Sequence, residues 1–298
     1  SGVHLRPYSD KADDTFASVD LWTYQEIGRR LTAITGYPNL AVYHGFRYDP
    51  KDVITGVADD WAFDSIGVFA WTTEFWNPLA AAGIEGAHPI DWFRDHPHDD
   101  DLKLLAWADD NAPGGYVEWY PFEHAQLGPV ELGGWNVAAV FRNPPSHLLE
   151  SEVAPHSEAA VLHALLSPLL RLRTTEVERL GPDTWRLRVV VENSGWLPTN
   201  VTQKAIERKV VRPVEATIVL PDDASLVAGK ATIELGQLGG RALRTNQIGM
   251  FGIAMDGTAD RAKAEWVVRA PAGTEIDVRV AQPRAGVATA TLTLAPDS

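Results

Sequence analysis

The chain contains no cysteine. That excludes both a disulfide framework and thiolate chemistry, and it leaves the compartment open. Cations are scarce: 26 Lys and Arg stand against 40 Asp and Glu, for a formal net charge of −14. Nucleic acid and anionic membranes are polyanions, so neither is expected as a partner; a basic substrate is permitted but not indicated. No apolar run approaches the roughly 20 residues of a membrane-spanning helix. The opening SGVHLRPYSD reads neither as a signal peptide nor as a disordered leader. Internal repeats are also missing.

Apolar material is plentiful. The 298 residues are 45% hydrophobic and include 11 Trp, which cluster between Trp61 and Trp135, where seven of them lie. That suits a large core or a lined pocket, in one large or two ordinary domains. Tyr24, Ile27, Leu31 and Ile34 recur at helical spacing and predict a helix over 15–36, closed by Gly36 and Pro38. A short strand is expected over 39–43. A short helix is expected over 59–67, with Asp59 and Asp60 at its positive end and Gly67 as a left-handed stop. Residues 77–150 are rich in Pro, Gly, His and Trp and read as long ordered loops with short helices, such as 100–108. Ser157 is expected to cap a helix over 157–168.

Beyond about residue 170 the pattern changes to short alternating runs, at 184–192, 214–220, 264–270, 274–281 and 287–294. Turn signals such as Asn193-Ser194-Gly195 and Pro271-Ala272-Gly273 separate them. The expected architecture is an α/β part over 1–169, then an all-β antiparallel sandwich over 170–298.

Within GVFAWTTEFW (67–76) a carboxylate, Glu74, sits in a run that reads as a buried strand. Alternation puts Glu74 on one face with the small residues Ala70 and Thr72, leaving room beside it. An unpaired buried carboxylate costs several kcal/mol or is neutralised, so it persists where a cation, a metal or a proton transfer uses it. The structural alternative is an edge position with Glu74 facing water.

DDWAFDSIGVFAWTTEFW (59–76) resembles the segment around the catalytic glutamate of zinc carboxypeptidases of the carboxypeptidase A type. There an Asp-Trp dipeptide opens a short helix, a Gly closes it, and a strand ends in the glutamate; the interval from Asp60 to Glu74 matches. SGVHLRPY (1–8) resembles the stretch just after that family's third zinc ligand. The run 115–135 is similar to a bacterial branch in which a β-sandwich follows the catalytic domain. The resemblance covers about residues 1–168. It implies that a partial carboxypeptidase-like mixed sheet precedes the sandwich and that Glu74 is the general base, passing a proton from a zinc-bound water to the leaving amine. It also implies a peptide substrate and a zinc cofactor.

The family's His-X-X-Glu zinc ligands and its carboxylate-binding Arg lie upstream, and by alignment this chain supplies no ligand. The chain therefore reads as the C-terminal portion of such an enzyme, with its zinc ligands expected before Ser1. A missing N-terminal half of the catalytic domain is then a partner, and the isolated chain is expected to be inactive. Asp59 falls where the family lines the pocket for the substrate's last side chain, and would favour a basic one; Thr55 and Gly56 sit on the loop before it. The family's closing tyrosine falls at Asp52, leaving Tyr48 and Tyr43 as nearby substitutes. HPHDDD (96–101) has metal-like composition but reads as a solvated loop. His163 reads as a core residue. A second class of function stays open: a non-catalytic module that binds peptide or glycan.

Overall fold

The structure, a computed structural model, describes residues 2–295 except 50, 89, 244–247, 250–251 and 254–256. Ser1, the first residue of the SGVHLRPY match, lies outside the described residues. Helices and sheets mix in the first part of the chain, and antiparallel sheets dominate the last. Two compact units form, one of residues 1–61 and 70–161, the other of residues 62–69 and 162–298. The break after Val161 comes earlier in sequence than the expected change near 170, and the segment 62–69 groups with the second unit.

The first unit is built on a three-stranded sheet, β1 (Val3–Arg6), β2 (Asn39–Ala41) and β3 (Thr72–Glu74), ordered β2-β1-β3. β1 runs parallel to β2 and antiparallel to β3, with Val3 opposite Glu74. Helix α1 (Ser18–Thr35) joins β1 to β2. Its buried stripe of Tyr24, Ile27, Gly28 and Leu31 follows the period that predicted it, and Gly36 closes it at φ +76°. The expected strand over 39–43 is shorter, because Val42 begins a helical turn, α2 (Val42–Gly45). Helix α3 (Ala58–Trp61) continues as a π-helical turn over Ala62–Ile66, and Gly67 stops it at φ +67°.

The strand expected through 67–76 is only three residues long. The left-handed Gly67 precedes it and a left-handed Trp76, at φ +68°, ends it. Asn77 then caps helix α4 (Pro78–Ala81) by accepting from the Ala80 amide. Helix α5 (His98–Asn111) begins two residues before the expected 100 and carries three Asp in its first turn, where they complement the helix dipole. The hairpin of β4 (Tyr116–His124) and β5 (Gly128–Trp135) occupies a region expected to be loop. Helix α6 (Leu149–Leu165) starts well before the expected Ser157 cap and accommodates Pro155 internally, so Ser157 lies within the helix.

The second unit has two four-stranded antiparallel sheets. One contains β6 (Leu170–Gly181), β7 (Thr184–Asn193), β9 (Ser225–Ala228) and β13 (Arg261–Arg269), ordered β6-β7-β13-β9. The other contains β8 (Glu215–Val219), β10 (Thr232–Glu234), β14 (Glu275–Gln282) and β15 (Gly286–Thr293), ordered β10-β8-β14-β15. A two-residue pair, β11 (Ile248–Gly249) with β12 (Gly252–Ile253), stands apart. Alternation decides which side chains are inside: Trp185, Leu187, Val189 and Val191 of β7 meet Ile276, Val278 and Val280 of β14 in one core cluster.

Residues 62–69 are gripped within this unit. Arg284, in the β14–β15 turn, donates to the carbonyls of Gly67 at 2.9 Å and Asn200 at 3.0 Å, and also to that of Ile66. Among the described residues its guanidinium bonds carbonyls and no carboxylate, and burial pushes its pKa down. Thr202 Oγ1 donates to the same Gly67 carbonyl at 2.8 Å, just before helix α7 (Gln203–Glu207). A Cβ on Gly67 would stand 2.6 Å from Ala205, so the close approach itself requires glycine.

Candidate functional site

Glu74 ends β3 and opens onto a groove of about 940 Å³ in the first unit. Phe75, Phe93, Trp135 and Phe141 wall it, with Leu79 and Ile90 beneath. Glu74, Tyr48, Asn77, Arg94 and Arg142 supply the polar groups. A few convergent polar groups in a mostly apolar concavity are the usual composition of a ligand site.

The charges there differ in commitment. Arg94 pairs with Asp91 at 2.9 Å and donates to the Tyr48 carbonyl, so it braces the Tyr48 segment. The side chains of Glu74 and Arg142 have no hydrogen-bond or ion-pair partner among the described residues. Glu74 is half-buried and Arg142 exposed. The groove therefore offers one uncommitted carboxylate and one uncommitted guanidinium between aromatic walls.

The residues beside Glu74 are, by contrast, tightly held. Thr73 Oγ1 bonds His4 Nδ1 at 2.9 Å, and His4 Nε2 meets Thr35 Oγ1 at 2.9 Å. His4 is buried, and burial first, then the neighbouring His156, lowers its pKa to about 4. Phe75 packs on His156 with ring centroids 4.5 Å apart. Trp76 donates its amide to Tyr37 Oη at 2.8 Å and its indole Nε1 to the Val140 carbonyl at 2.6 Å. A non-glycine residue in the left-handed region costs about 1–3 kcal/mol and persists only where its surroundings over-determine it.

The sequence-derived candidates separate in space. Glu74 and Tyr48 line the same groove. Asp59 does not: it is buried at the start of α3 and accepts from Thr72 Oγ1 at 3.0 Å. Burial raises its pKa, against the opposing pull of that hydrogen bond. Its carboxylate is occupied in joining α3 to β3, away from the groove that Glu74 lines. Thr55 and Gly56 are exposed on the loop before α3 and do not line the groove. Asp52 and Tyr43 do not line it either.

HPHDDD runs into the start of α5: His96 and Pro97 precede the helix and His98–Asp101 form its first turn, in place of the expected loop, with Pro97, His98 and Asp99 exposed. His96 stacks on Trp92 with centroids 3.9 Å apart, and its Nε2 bonds Asp101 at 2.9 Å. That bond raises the His96 pKa. Asp100 is buried and accepts from the Trp92 indole at 3.0 Å. Among the described residues no group of three or more His, Asp or Glu side chains is arranged to hold a metal ion. The ring nitrogens of His4 are both taken by threonine hydroxyls. The residues present thus do not make up a zinc ligand set; ligands placed before Ser1 by the resemblance are a separate matter.

Arg142, Phe93, Phe141 and Trp135 were not singled out from sequence. The density of Trp between 61 and 135 marks the region of Phe93 and Trp135 without choosing residues, and no sequence signal points to Phe141 or Arg142. No helix among the described residues is long and apolar enough to cross a membrane.

Comparison with known proteins adds little at the groove. A family model described as a domain of unknown function, DUF8731, matches residues 169–293, in the β-rich part. No curated protein matches the chain. Among solved structures, the GAE domain of GGA2p from Saccharomyces cerevisiae is similar at 12% identity, covering 41% of this chain and 88% of that one, with a TM-score of 0.22. A superposition that loose carries no argument about function.

Proposed function

We propose that the chain is the C-terminal portion of a zinc carboxypeptidase, with Glu74 as its general base. The observation that carries this reading is the contrast at the end of β3: Thr73 and Trp76 are pinned by hydrogen bonds, whereas the Glu74 carboxylate is left without a partner among the described residues in an aromatic groove. Placing a reactive group on a rigid element and holding its neighbours is how a side chain is kept ready for a reaction. The parallel β1–β2 pair with antiparallel β3 serves as the partial mixed sheet of the catalytic domain, and the two four-stranded sheets as the following β-sandwich.

In this reading Glu74 accepts a proton from the water that attacks the scissile carbonyl, and returns it to the leaving nitrogen. Such proton transfer contributes typically 10²- to 10⁴-fold. The aromatic walls would receive an apolar side chain of the substrate. Bound zinc would polarise the carbonyl and the water, and its ligands belong to the missing half of the catalytic domain.

The same groove also favours a second reading, a module that binds an apolar peptide segment without chemistry. One experiment separates the two: the intact mass, zinc content and peptidase activity of the protein as its source cell makes it. A mass well above 32.6 kDa, with stoichiometric zinc and release of C-terminal residues, supports the enzyme. A mass near 32.6 kDa without zinc leaves the binding module.

A further inference from the structure

One hydroxyl helps to hold the turn that follows Glu74. Tyr37 stands just after the Gly36 cap of α1, and its Oη accepts the Trp76 amide at 2.8 Å while donating to the Glu152 carboxylate of α6. Both capacities of the hydroxyl are used, so its orientation is fixed. The Tyr37 ring meets His156 edge-on at 4.5 Å, and His156 meets Phe75 at 4.5 Å. One residue therefore touches the chain at Trp76 directly and at Phe75 through a single ring. Trp76 is also where the backbone is left-handed, and its amide is shared between Tyr37 Oη and the Glu152 carboxylate that the same hydroxyl bonds.

We infer that Tyr37 is a positioning residue, whose hydroxyl holds the left-handed Trp76 and thereby aims the Glu74 carboxylate into the groove. This rests on reading Glu74 as the working group. Tyr37 is not among the residues lining the groove; it acts through the two residues after Glu74. Asn77 and Pro78, the next in sequence, line the same groove, so a shift at Trp76 moves both its carboxylate and its floor.

The test is Tyr37→Phe in the 298-residue chain, with Glu152→Gln beside it, followed by amide hydrogen exchange and by NMR of the Glu74 side-chain carboxyl carbon. Loss of the acceptor is expected to speed Trp76 amide exchange about tenfold and to move or split the Glu74 signal, while β7 and β14 amides stay as they are. Glu152→Gln keeps an acceptor for the Tyr37 hydroxyl and is expected to leave the Glu74 signal in place. In the zinc-loaded parent protein, Tyr37→Phe is expected to lower kcat about 10- to 100-fold with little change in KM. Faster Trp76 exchange with an unmoved Glu74 signal would make Tyr37 a structural residue only and overturn the inference, as would unchanged exchange. Glu74→Gln in the same parent assay keeps the two ideas apart. Full turnover by Glu74→Gln sinks the general-base reading, whereas its loss alongside an unaffected Tyr37→Phe sinks only the positioning role.

Discussion

Acid should loosen the sheet that carries Glu74, and His4 sets the size of the effect. His4 lies on β1 opposite Thr73, with its pKa lowered from 6.5 to about 4 by burial and by the neighbouring His156. Above pH 6.5 the residue is neutral in both folded and unfolded chains and contributes nothing to pH dependence. Below it the unfolded chain takes up a proton that the folded chain refuses until about pH 4, so stability falls as pH drops through that window. At about 1.4 kcal/mol per pKa unit, the full loss is on the order of 3 kcal/mol. His156, also lowered by burial, adds in the same direction. Glu152 and Asp59 have raised pKa values and act oppositely, since their destabilisation is relieved as they protonate. The clean readout is therefore the difference between the wild-type chain and His4→Gln, which cannot titrate. Urea unfolding at pH 7.5, 6.5, 5.5 and 4.5, followed by far-UV circular dichroism, should show the wild type's advantage shrinking by up to about 3 kcal/mol toward acid. A gap that stays constant across the series would refute the burial of a neutral His4 against Thr73 and Thr35.

Other expectations follow from the same contacts. Gly67→Ala should destabilise the second unit by more than about 1 kcal/mol, because alanine disfavours φ +67° and its Cβ meets Ala205 at 2.6 Å; thermal unfolding measures it. Arg284→Gln should cost about 1 kcal/mol, because the Gly67 and Asn200 carbonyls each lose one donor but keep Thr202 Oγ1 and the Thr202 amide, and amide exchange around Val68 should rise with it. The purified 298-residue chain should release no C-terminal residue from a Phe-, Lys- or Arg-terminated peptide, with or without added zinc; turnover would contradict the placement of the ligands outside it.

Periodicity made the stable parts of both units legible. The 3.6-residue stripe of α1 and the strict alternation of β7 and β14 each identify buried side chains directly, because one face of each element meets a core. β6 escaped because it is an edge strand whose exposed Arg171, Arg173, Glu176 and Glu178 hide its few apolar residues; charged edges of this kind discourage pairing with other chains. The β4–β5 hairpin escaped because a bulge between Val117 and Tyr120 breaks its alternation and Pro121 reads as a stop. Pro155 likewise reads as a helix break, yet α6 runs through it.

At the site, Glu74 stood out because a carboxylate interrupts an apolar run, a signal carried by one residue and its neighbours. Asp59 was read from its place before Asp60-Trp61, but its orientation depends on Thr72, thirteen residues away in sequence and across a bond that spacing cannot reveal. Tyr37, Glu152 and Arg142 come from separate segments, and only the folded chain brings them near β3 or its groove.

The most direct test of the central claim compares wild type and Glu74→Gln in the zinc-loaded parent protein, measuring kcat/KM for release of a C-terminal residue. Glutamine keeps the size of the side chain but cannot accept the proton. A fall of about 10²- to 10⁴-fold, with zinc content and unfolding temperature unchanged, is the result expected of a general base in the groove. Activity within a fewfold of wild type would contradict it and leave Glu74 as a half-buried strand-end carboxylate without a catalytic role.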